Sequence, residues 1–562
     1  IPGHGTPTVI LFGRHRAPVG EAVRTVMGIK GEPSTPDDPA QGLVWSAVVA
    51  QIDRAGSESE FVSVVDTQRA MFAKHPWSIG GGGAAGLKES LELNRPALAT
   101  IAREVGITAV NGEDELFLLQ GATHIARAGI EHVRPMVTGD VVRDWSAAFT
   151  PAVWLYDDEF NLLDLESLPR TARYFWPAYS VVSRRKRFGT PMVERGLTWY
   201  EYQELYVNKL RSPLTITFAE IATHNHFVLD RGGKVFNRTA PVIKLPAGAN
   251  EDEHFGLLGL LNSSVACFWF KQVGHCKGNG GIGGGIAAEQ WEKFYVFNST
   301  VVAEFPLVES RPVDLATRLD TQAREVASHA LTTMLARADT TVPTRADLDT
   351  AHRSVDHLRG QQIATQEELD WRCHRLYGLL PTGGEASAFE HPSPPEVALG
   401  ERAFEIVLAR RVANGQERTV WFDRHGSIPV TEIPARWPED YRQVVQRRIE
   451  LIESDRNIGL IERPEYKRRW NTPSWDSQEQ EALRDWLLAR LESPRHWPPP
   501  AGSGGDASAQ LMPTSRLTDA AGRDAEFMQL AALYAGHADF DLNSLVARLV
   551  AAESVPFLPV LR

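Results

Sequence analysis

Cysteine and long apolar runs are both scarce in this sequence. Its 562 residues include only three cysteines, Cys267, Cys276 and Cys373, which are too few for a disulfide framework. No run reaches the roughly 18 uncharged apolar residues of a membrane span, and the first residues lack the basic-then-apolar pattern of a secretory signal. These absences predict a cytoplasmic protein without a membrane segment.

Negative charge is in excess overall but is missing from two parts of the chain. Lys and Arg number 59 against 71 Asp and Glu, so the formal net charge is −12. Arg231–Asn250 and His254–Ala288 contain no acid, and only Glu251-Asp252-Glu253 separates them. A local basic surface matters more for nucleic-acid binding than the total charge. The acidity therefore argues against a histone-like coat without excluding a DNA-binding protein.

The length and the 43% hydrophobic share predict several packed cores in a multidomain chain. Shifts in composition and two Pro/Gly/Ser-rich stretches give the expected boundaries. The predicted class is α+β, and the predicted parts are a mixed N-terminal region (1–150), a mixed α/β domain (151–310), a helical spacer (311–380), a linker (381–399), a mainly helical domain (400–495), a linker (496–510) and a helical tail (511–562).

Hydrophobic patterns predict individual elements within these parts. The apolar runs Val9–Phe12 and Leu43–Val49 are typical of strands, and Pro96–Val105 has the proline-first pattern of a helix. Residues 151–310 look rich in strands and aromatic clusters. Two amphipathic patterns between Pro312 and Gly378 predict long helices packed antiparallel.

Motifs for phosphate loops and metals are weak. Arg231–Phe236 contains Gly-Lys but lacks the spacing of a Walker loop, and the glycine-dense Gly278–Ile286 lacks the frame of a dinucleotide site. We interpret the latter as a loop close to a polyanionic backbone. His224 and His226 have no neighbouring ligand set, which favours packing or a polar groove contact over a metal site.

The strongest basic cluster is SRRKRFG, Ser183–Gly189. A single basic run is often only a solvated face. Here Tyr179 precedes the run, and Trp199 and Tyr200 follow it. Cations interleaved with aromatics suit phosphate anchoring combined with base or sugar contacts. A second cluster, Tyr466–Trp470, fits either a DNA backbone contact or a helix cap.

Several longer segments resemble a known family. Ile1–Arg14 is similar to the strand pair that closes the catalytic domain of adenine-specific DNA methyltransferases. Val235–Pro246, Leu257–Val273 and Trp291–Leu307 resemble the target-recognition domain of type IIG restriction–modification enzymes. Together with Gln366–Leu380 and Arg463–Trp470, they resemble the methyltransferases of BREX phage-defence systems. This resemblance implies that residues 1–150 are the C-terminal end of a Rossmann-like methyltransferase domain with a connecting region.

The resemblance implies base flipping and methyl transfer from S-adenosylmethionine to the exocyclic amine of adenine. The family binds this cofactor through a glycine-bearing first strand and the adenine through an Asn-Pro-Pro-Tyr-type motif. Neither motif occurs here; the double prolines lie at Pro394-Pro395 and within Pro498–Pro500. No catalytic, cofactor-binding or metal residue is therefore assigned. We expect an internal segment of a longer polypeptide, whose N-terminal part binds S-adenosylmethionine.

On this interpretation the segment supplies DNA sequence recognition. Its expected partners are double-stranded DNA and other BREX proteins. An Arg that contacts guanine or an Asn that contacts adenine would each contribute ~1–3 kcal/mol of discrimination. The candidate DNA contacts are Arg184, Arg185, Lys186, Arg187, Lys234, Asn237, Arg238, Lys277 and Asn279.

Two other functions fit parts of the sequence. A non-enzymatic DNA-binding or scaffold subunit of a defence complex would use the helices for docking, but a pure scaffold gives no reason for the acid-free stretches Arg231–Asn250 and His254–Ala288. A restriction nuclease would need a carboxylate–Lys metal site, and no such pattern stands out.

Overall fold

The computed structural model describes residues 9–32, 34, 36–73, 77, 80–119, 129–278, 289–336, 342–381, 386–497 and 512–552. Within these ranges helices dominate the C-terminal half, and short strands lie between residues 22 and 296. The predicted α+β class is confirmed. No described helix is both long and apolar enough to cross a membrane.

The strands are short, and most lie between residues 104 and 296. Their bounds are β1 Ala22–Gly28, β2 Val62–Gln68, β3 Glu104–Gly106, β4 Ala109–Val110, β5 Val133–Val137, β6 Val142–Arg143, β7 Ser146–Ala147, β8 Thr150–Val153, β9 Lys186–Arg187, β10 Thr190–Pro191, β11 Glu204–Leu205, β12 Thr215–Phe218, β13 Ile221–Ala222, β14 Phe227–Asp230, β15 Val235–Phe236, β16 Val242–Lys244, β17 His275–Gly278 and β18 Phe294–Val296.

These strands form small, mainly antiparallel sheets. The largest has the order β14-β12-β16-β3, and three-stranded sheets have the orders β13-β18-β17 and β15-β5-β8. The remaining pairs are β1-β2, β4-β11, β6-β7 and β9-β10. In the last two of these pairs only two residues separate the strands, so both are tight hairpins.

The helices begin at residue 43 and become the main element after residue 299. Their bounds are α1 Leu43–Gln51, α2 Ala84–Glu92, α3 Asp114–Phe117, α4 Pro169–Phe175, α5 Tyr179–Val182, α6 Val207–Leu210, α7 Glu251–Leu261, α8 Ser264–Val273, α9 Ser299–Ala303, α10 Val313–Ser328, α11 Leu331–Ala336, α12 Arg345–Leu376, α13 Ala403–Ala413, α14 Trp421–Arg424, α15 Glu439–Ser454, α16 Arg456–Ile461, α17 Pro464–Lys467, α18 Trp475–Leu491, α19 Thr514–Gly522, α20 Ala525–Ala535 and α21 Leu542–Ala552.

The longest helix, α12, has clear sequence reasons for its bounds. Thr344 caps its start in a reciprocal capping box with Asp347, and Gly378 adopts a left-handed φ of 74° just past its end. Asp314, at the start of α10, lies 3.5 Å from Arg372, near the end of α12, so the two helices run antiparallel as predicted.

Three apolar cores hold the chain together. The first runs from Ala84 to Trp470 and includes the nearly unexposed helix α8. The second surrounds Trp154 and Tyr202, whose rings meet edge to face, and the third joins α11 and the start of α12 to α18–α21. Phe389, inside the segment predicted as a linker, is buried in the first core. The domain boundaries themselves stay predictions.

Three predicted elements in the N-terminal part are wrong. Val9–Phe12 forms no strand among the described residues and is exposed, because no neighbouring strand pairs with it. Leu43–Val49 lies in helix α1, since a short apolar run does not distinguish a strand from a helix. Pro96–Val105 contains only a 3₁₀ turn, Leu98–Thr100, before β3; the segment instead bonds to Phe305 and Lys244.

Candidate nucleic-acid interface

A strained hairpin forms one wall of a polar pocket. Strands β6 and β7 are joined by Asp144 and Trp145, which both have positive φ values of 43° and 69°. Such values are unfavourable for bulky residues and persist only where tertiary contacts enforce them. Here Trp145 is buried and its Nε1 donates to Oε1 of Gln366 at 2.8 Å. The turn presents Arg143 beside it.

The opposite wall comes from the segment after helix α17. The Trp470 amide donates to Asp144 Oδ2 at 2.9 Å, which ties this segment to the hairpin. Trp470 itself has a φ of 69°. Arg468 donates to the Trp291 carbonyl at 3.1 Å, and its guanidinium carbon lies 4.9 Å from the centre of that indole ring. These contacts hold Arg468 opposite Arg143.

The space between the walls is a half-open polar pocket of about 390 Å³. Residues distant in sequence meet here, from the strand region and from the segment after α17. The lining residues are Arg143, Asp144, Thr223, His226, Glu292, Phe294, Arg468, Arg469, Trp470 and Asn471.

The basic side chains that line the pocket outnumber the acidic side chains that could neutralise them. Asp144 lies 3.8 Å from Arg469, and Glu292 lies 3.7 Å from Arg424. Arg143 and Arg468 form no ion pair with any carboxylate in the described part of the chain. Burial lowers the pKa of both guanidinium groups. An anion in the pocket would therefore be stabilised by two incompletely compensated cations.

His226 at the pocket floor is held neutral. Its Nδ1 accepts a hydrogen bond from the Asp144 amide at 3.3 Å, and burial, followed by the charge of Arg469, places its pKa well below the ordinary value. His224 is also buried, with a pKa lowered by burial. The two rings lie in the loop between β13 and β14, not on a strand. Among the described residues no group of three or more His, Cys, Asp or Glu is arranged to hold a metal.

Two of the predicted DNA contacts lie next to residues that are linked to the pocket. Arg238 is exposed and precedes Thr239, whose hydroxyl accepts from the Gly139 amide at 2.9 Å; the Gly139 carbonyl in turn accepts from Arg143 at 2.8 Å. Lys277 is exposed on β17, next to Gly278, the partner of Phe294 in the lining. Both exposed cations are therefore linked through backbone contacts of their neighbours to residues that line the pocket.

Asn237 and Lys234 lie near Arg238 but already have partners. Asn237 is buried, and its Nδ2 donates to Asp114 at 3.0 Å. The ammonium of Lys234 bonds to Asp230. Asn279 and most of the glycine-dense Gly278–Ile286 lie outside the described residues. The DNA contacts proposed for these residues stay predictions.

The basic cluster 184–187 splits into exposed and buried side chains. Arg184 and Lys186 are exposed, whereas Arg187 is partly buried with its Nε 4.0 Å from Glu204. Arg185 is only 4% exposed; it donates to the carbonyls of four residues, and burial lowers its pKa to about 10. These four carbonyls belong to Asn111, Val182, Trp199 and Glu201. This placement favours a structural role for Arg185.

The acid-free stretches have a packing cause as well. Residues 254–271 form most of α7 and α8 and are almost wholly buried, so acids are absent where they could not be solvated. In the other stretch Lys244 is buried against the Ser212 carbonyl, with a pKa lowered by burial to about 8. Arg231 pairs with Glu251 and Asp320. Among the described Lys and Arg residues of these stretches, only Arg238 and Lys277 are exposed and form no ion pair.

Sequence patterns missed Arg143 and Arg468 as a pair. Arg468 lies in the basic cluster Tyr466–Trp470, which was open between a DNA contact and a helix cap. Lys467 and Arg469 in that cluster are buried and form ion pairs, whereas Arg468 lines the pocket and forms no ion pair among the described residues. Arg143 carries no local signal, because its role depends on the folding of the β6–β7 hairpin.

The structure is that of an α+β protein with a cationic pocket that suits a phosphate group. Comparison with known proteins shows what the chain is related to. Over its whole length the chain is related to a curated adenine-specific methyltransferase. That relative is PglX of Streptomyces coelicolor, 42% identical over 574 residues, and the chain spans 46% of its length. The predicted resemblance is confirmed: the chain is a relative of PglX.

Two further matches cover parts of the chain. Residues 362–562 match a family described as a domain of unknown function, DUF7008. Among solved structures, the type IIL restriction–modification enzyme MmeI in complex with DNA aligns with 53% of this chain and 35% of its own, at 13% identity and a TM-score of 0.33. A likeness at that level does not establish a shared fold.

Proposed function

We infer that this chain is the DNA-recognition portion of a site-specific adenine methyltransferase that acts in BREX phage defence. The relationship to PglX supports the reaction class. The observation that carries the DNA contact is the pocket with two guanidinium groups, Arg143 and Arg468, that form no ion pair among the described residues, together with the exposed Arg238 and Lys277. A duplex backbone offers phosphates to such a row of cations.

S-adenosylmethionine would be bound by a part of the protein outside these 562 residues. Its sulfonium group is a cation, so the arginine-lined pocket does not fit it. When bound, the cofactor supplies the methyl group. The residues of this chain position the duplex: Arg143 and Arg468 hold a phosphate, and Arg238 and Lys277 fix its direction across the surface.

The test is the salt dependence of duplex binding. The 562-residue chain is titrated onto a labelled 30-base-pair duplex of random sequence, followed by fluorescence anisotropy between about 50 and 300 mM NaCl. Each phosphate contact contributes about 0.9 to the slope of log K against log salt. We expect Arg143→Gln, Arg238→Ala and Lys277→Ala each to weaken binding and to lower that slope by about one contact.

Arg523→Ala and Arg548→Ala are the matched controls. Both arginines are exposed in the C-terminal helical part, which contains the third core. These controls should leave the slope unchanged. If all five variants behaved alike, the interface would be wrong. If the wild-type chain did not bind duplex at any salt concentration, the proposed function would be wrong.

A further inference from the structure

A second tight hairpin carries an aromatic side chain at its tip. Strands β9 and β10 pair Arg187 with Thr190, and Phe188 and Gly189 form the turn with φ values of 50° and 83°. A two-residue turn with both φ values positive favours Asn-Gly. Glycine meets this preference at the second position. Phenylalanine at the first position is held in a backbone conformation that bulky residues rarely adopt.

Packing does not explain this strain. In the equivalent turn of the β6–β7 hairpin, Trp145 is 3% exposed and hydrogen-bonded through its indole. Phe188, by contrast, is 75% exposed. The turn thus has an unfavourable backbone and a solvated apolar ring at one residue, with no core contact in compensation. Strain of this kind concentrates at functional positions.

The hairpin that carries the Phe188 ring is cationic, and hydrogen bonds anchor its base. The guanidinium carbons of Arg187 and Arg195 each lie 5.7 Å from the centre of the Phe188 ring, and Arg195 also donates to the Arg187 carbonyl at 3.0 Å. Arg185 anchors the base through its bonds to backbone carbonyls and accepts, through its own carbonyl, from the Met192 amide at 3.1 Å. Lys186 is exposed alongside.

The charge around Phe188 favours a nucleic-acid duplex as the binding partner. Ser183–Leu197 contains five basic residues, of which only Arg185 is buried, and one acid, Glu194; a second acid, Glu204, lies 4.0 Å from Arg187. An apolar ring that projects between cations matches a nucleic-acid duplex, in which stacked bases lie between two rows of phosphates. Proteins that insert an apolar wedge between base pairs bend the duplex and gain further backbone contacts. A partner protein would need an acidic rim around an apolar pocket.

We propose that Phe188 is a wedge that enters a base-pair step of bound duplex DNA, with Arg187 and Arg195 on the flanking phosphates. This inference rests on the proposed DNA-binding function and adds to it a mode of contact. It predicts a preference for DNA in which one step is already unstacked, because such a duplex offers the wedge its site without the cost of opening it.

The experiment needs no knowledge of the recognised sequence. Two 40-base-pair duplexes are compared, one intact and one with a single central abasic site, both labelled for anisotropy and bound by the full chain. We expect the abasic duplex to bind at least about fivefold tighter. Phe188→Ala should reduce this ratio to near one while it retains most of the affinity for the intact duplex.

Phe12→Ala is the matched control, since Phe12 is 87% exposed in a different part of the chain, and it should keep the preference. Phe188→Leu tests whether the size of the side chain matters, and it should keep part of the preference for the abasic duplex. Far-ultraviolet circular dichroism should be unchanged in all three variants, because neither ring is in a core.

The outcomes separate the two proposals. If the wild-type chain binds both duplexes equally well, or if Phe188→Ala weakens both by the same factor, the wedge is overturned while the DNA-binding function stands. If the chain binds neither duplex, both proposals fail. A loss of preference in Phe12→Ala as well would also overturn the assignment to Phe188.

Discussion

The ammonium group of Lys467 lies 2.8 Å from a carboxylate oxygen of Asp370, and neither side chain is more than 4% exposed. Lys467 also lies 3.0 Å from Glu367 and 3.2 Å from Glu462. Two segments singled out by their resemblance to a family, Gln366–Leu380 and Arg463–Trp470, therefore meet in a buried ionic cluster. The cluster joins helix α12 to the segment that carries Arg468.

Loss of Lys467 should destabilise the whole first core. Lys467→Met leaves three buried carboxylates without their shared cation, and breaking a buried pair costs about 3–5 kcal/mol. We expect the apparent free energy of unfolding in urea to fall by that amount. The control is Lys30→Met, because Lys30 pairs with Glu60 on the surface, where such a pair contributes only about 0–1 kcal/mol. Equal effects in the two variants would contradict the buried cluster.

Substitutions of the neighbouring Arg184 and Arg185 should affect different properties, DNA binding in the first case and folding stability in the second. Arg185→Met removes a charged donor from four backbone carbonyls, so we expect a loss of at least about 3 kcal/mol in the free energy of unfolding. Arg184 is exposed, and Arg184→Ala should leave stability within about 0.5 kcal/mol of wild type. In the duplex titration Arg184→Ala should weaken binding and lower the salt slope. The opposite pattern would contradict both placements.

The approach of Gly139 to Thr239 should be essential to the pocket. A Cβ atom on Gly139 would lie 2.2 Å from the Thr239 carbonyl oxygen, so Gly139→Ala must displace the turn whose carbonyl holds Arg143. We expect weaker duplex binding and a lower melting temperature. Gly86→Ala is the control, since a Cβ there meets nothing within 4 Å in helix α2 and should slightly raise stability. A neutral Gly139→Ala would contradict this pocket geometry.

Stability should fall on acidification below pH 6.5, in part because of His425. This ring is stacked on Trp421 and donates from Nδ1 to the Trp421 carbonyl at 2.8 Å, and burial lowers its pKa to about 4. In the unfolded chain it takes up a proton near pH 6.5, so its stabilising contribution is complete above that pH and is lost as the pH falls toward 4. The expected slope is about 1.4 kcal/mol per pH unit.

Urea unfolding of His425→Gln at pH 7 and pH 5 checks this contribution. The variant should lose about 2 kcal/mol less than wild type over that range. His537→Gln, at an exposed histidine, should follow the wild-type dependence. An unchanged dependence in His425→Gln would mean that the ring takes up its proton over the same pH range in the folded and the unfolded protein.

Local pattern predicted the long helices well and the short N-terminal elements poorly. The amphipathic faces of α10 and α12, with Leu319 and Leu369 buried, follow from an apolar repeat that extends over several turns. Leu43–Val49 is too short for such a repeat to appear, and residues 96–105 take their conformation from hydrogen bonds to Phe305 and Lys244. Periodicity is informative only where an element is long enough to show it.

The sequence by itself determined the mixed class, the helical character of the C-terminal half, the relationship to adenine-specific methyltransferases and the basic cluster at residues 184–187. Only the tertiary structure decided which cations are free. It buries Arg185 and Lys467 against carbonyls and carboxylates, and it brings Arg143 and Arg468, 325 positions apart, to one pocket. The physical reason is that a cation's availability depends on its solvation and its partners, and contacts between distant segments set both.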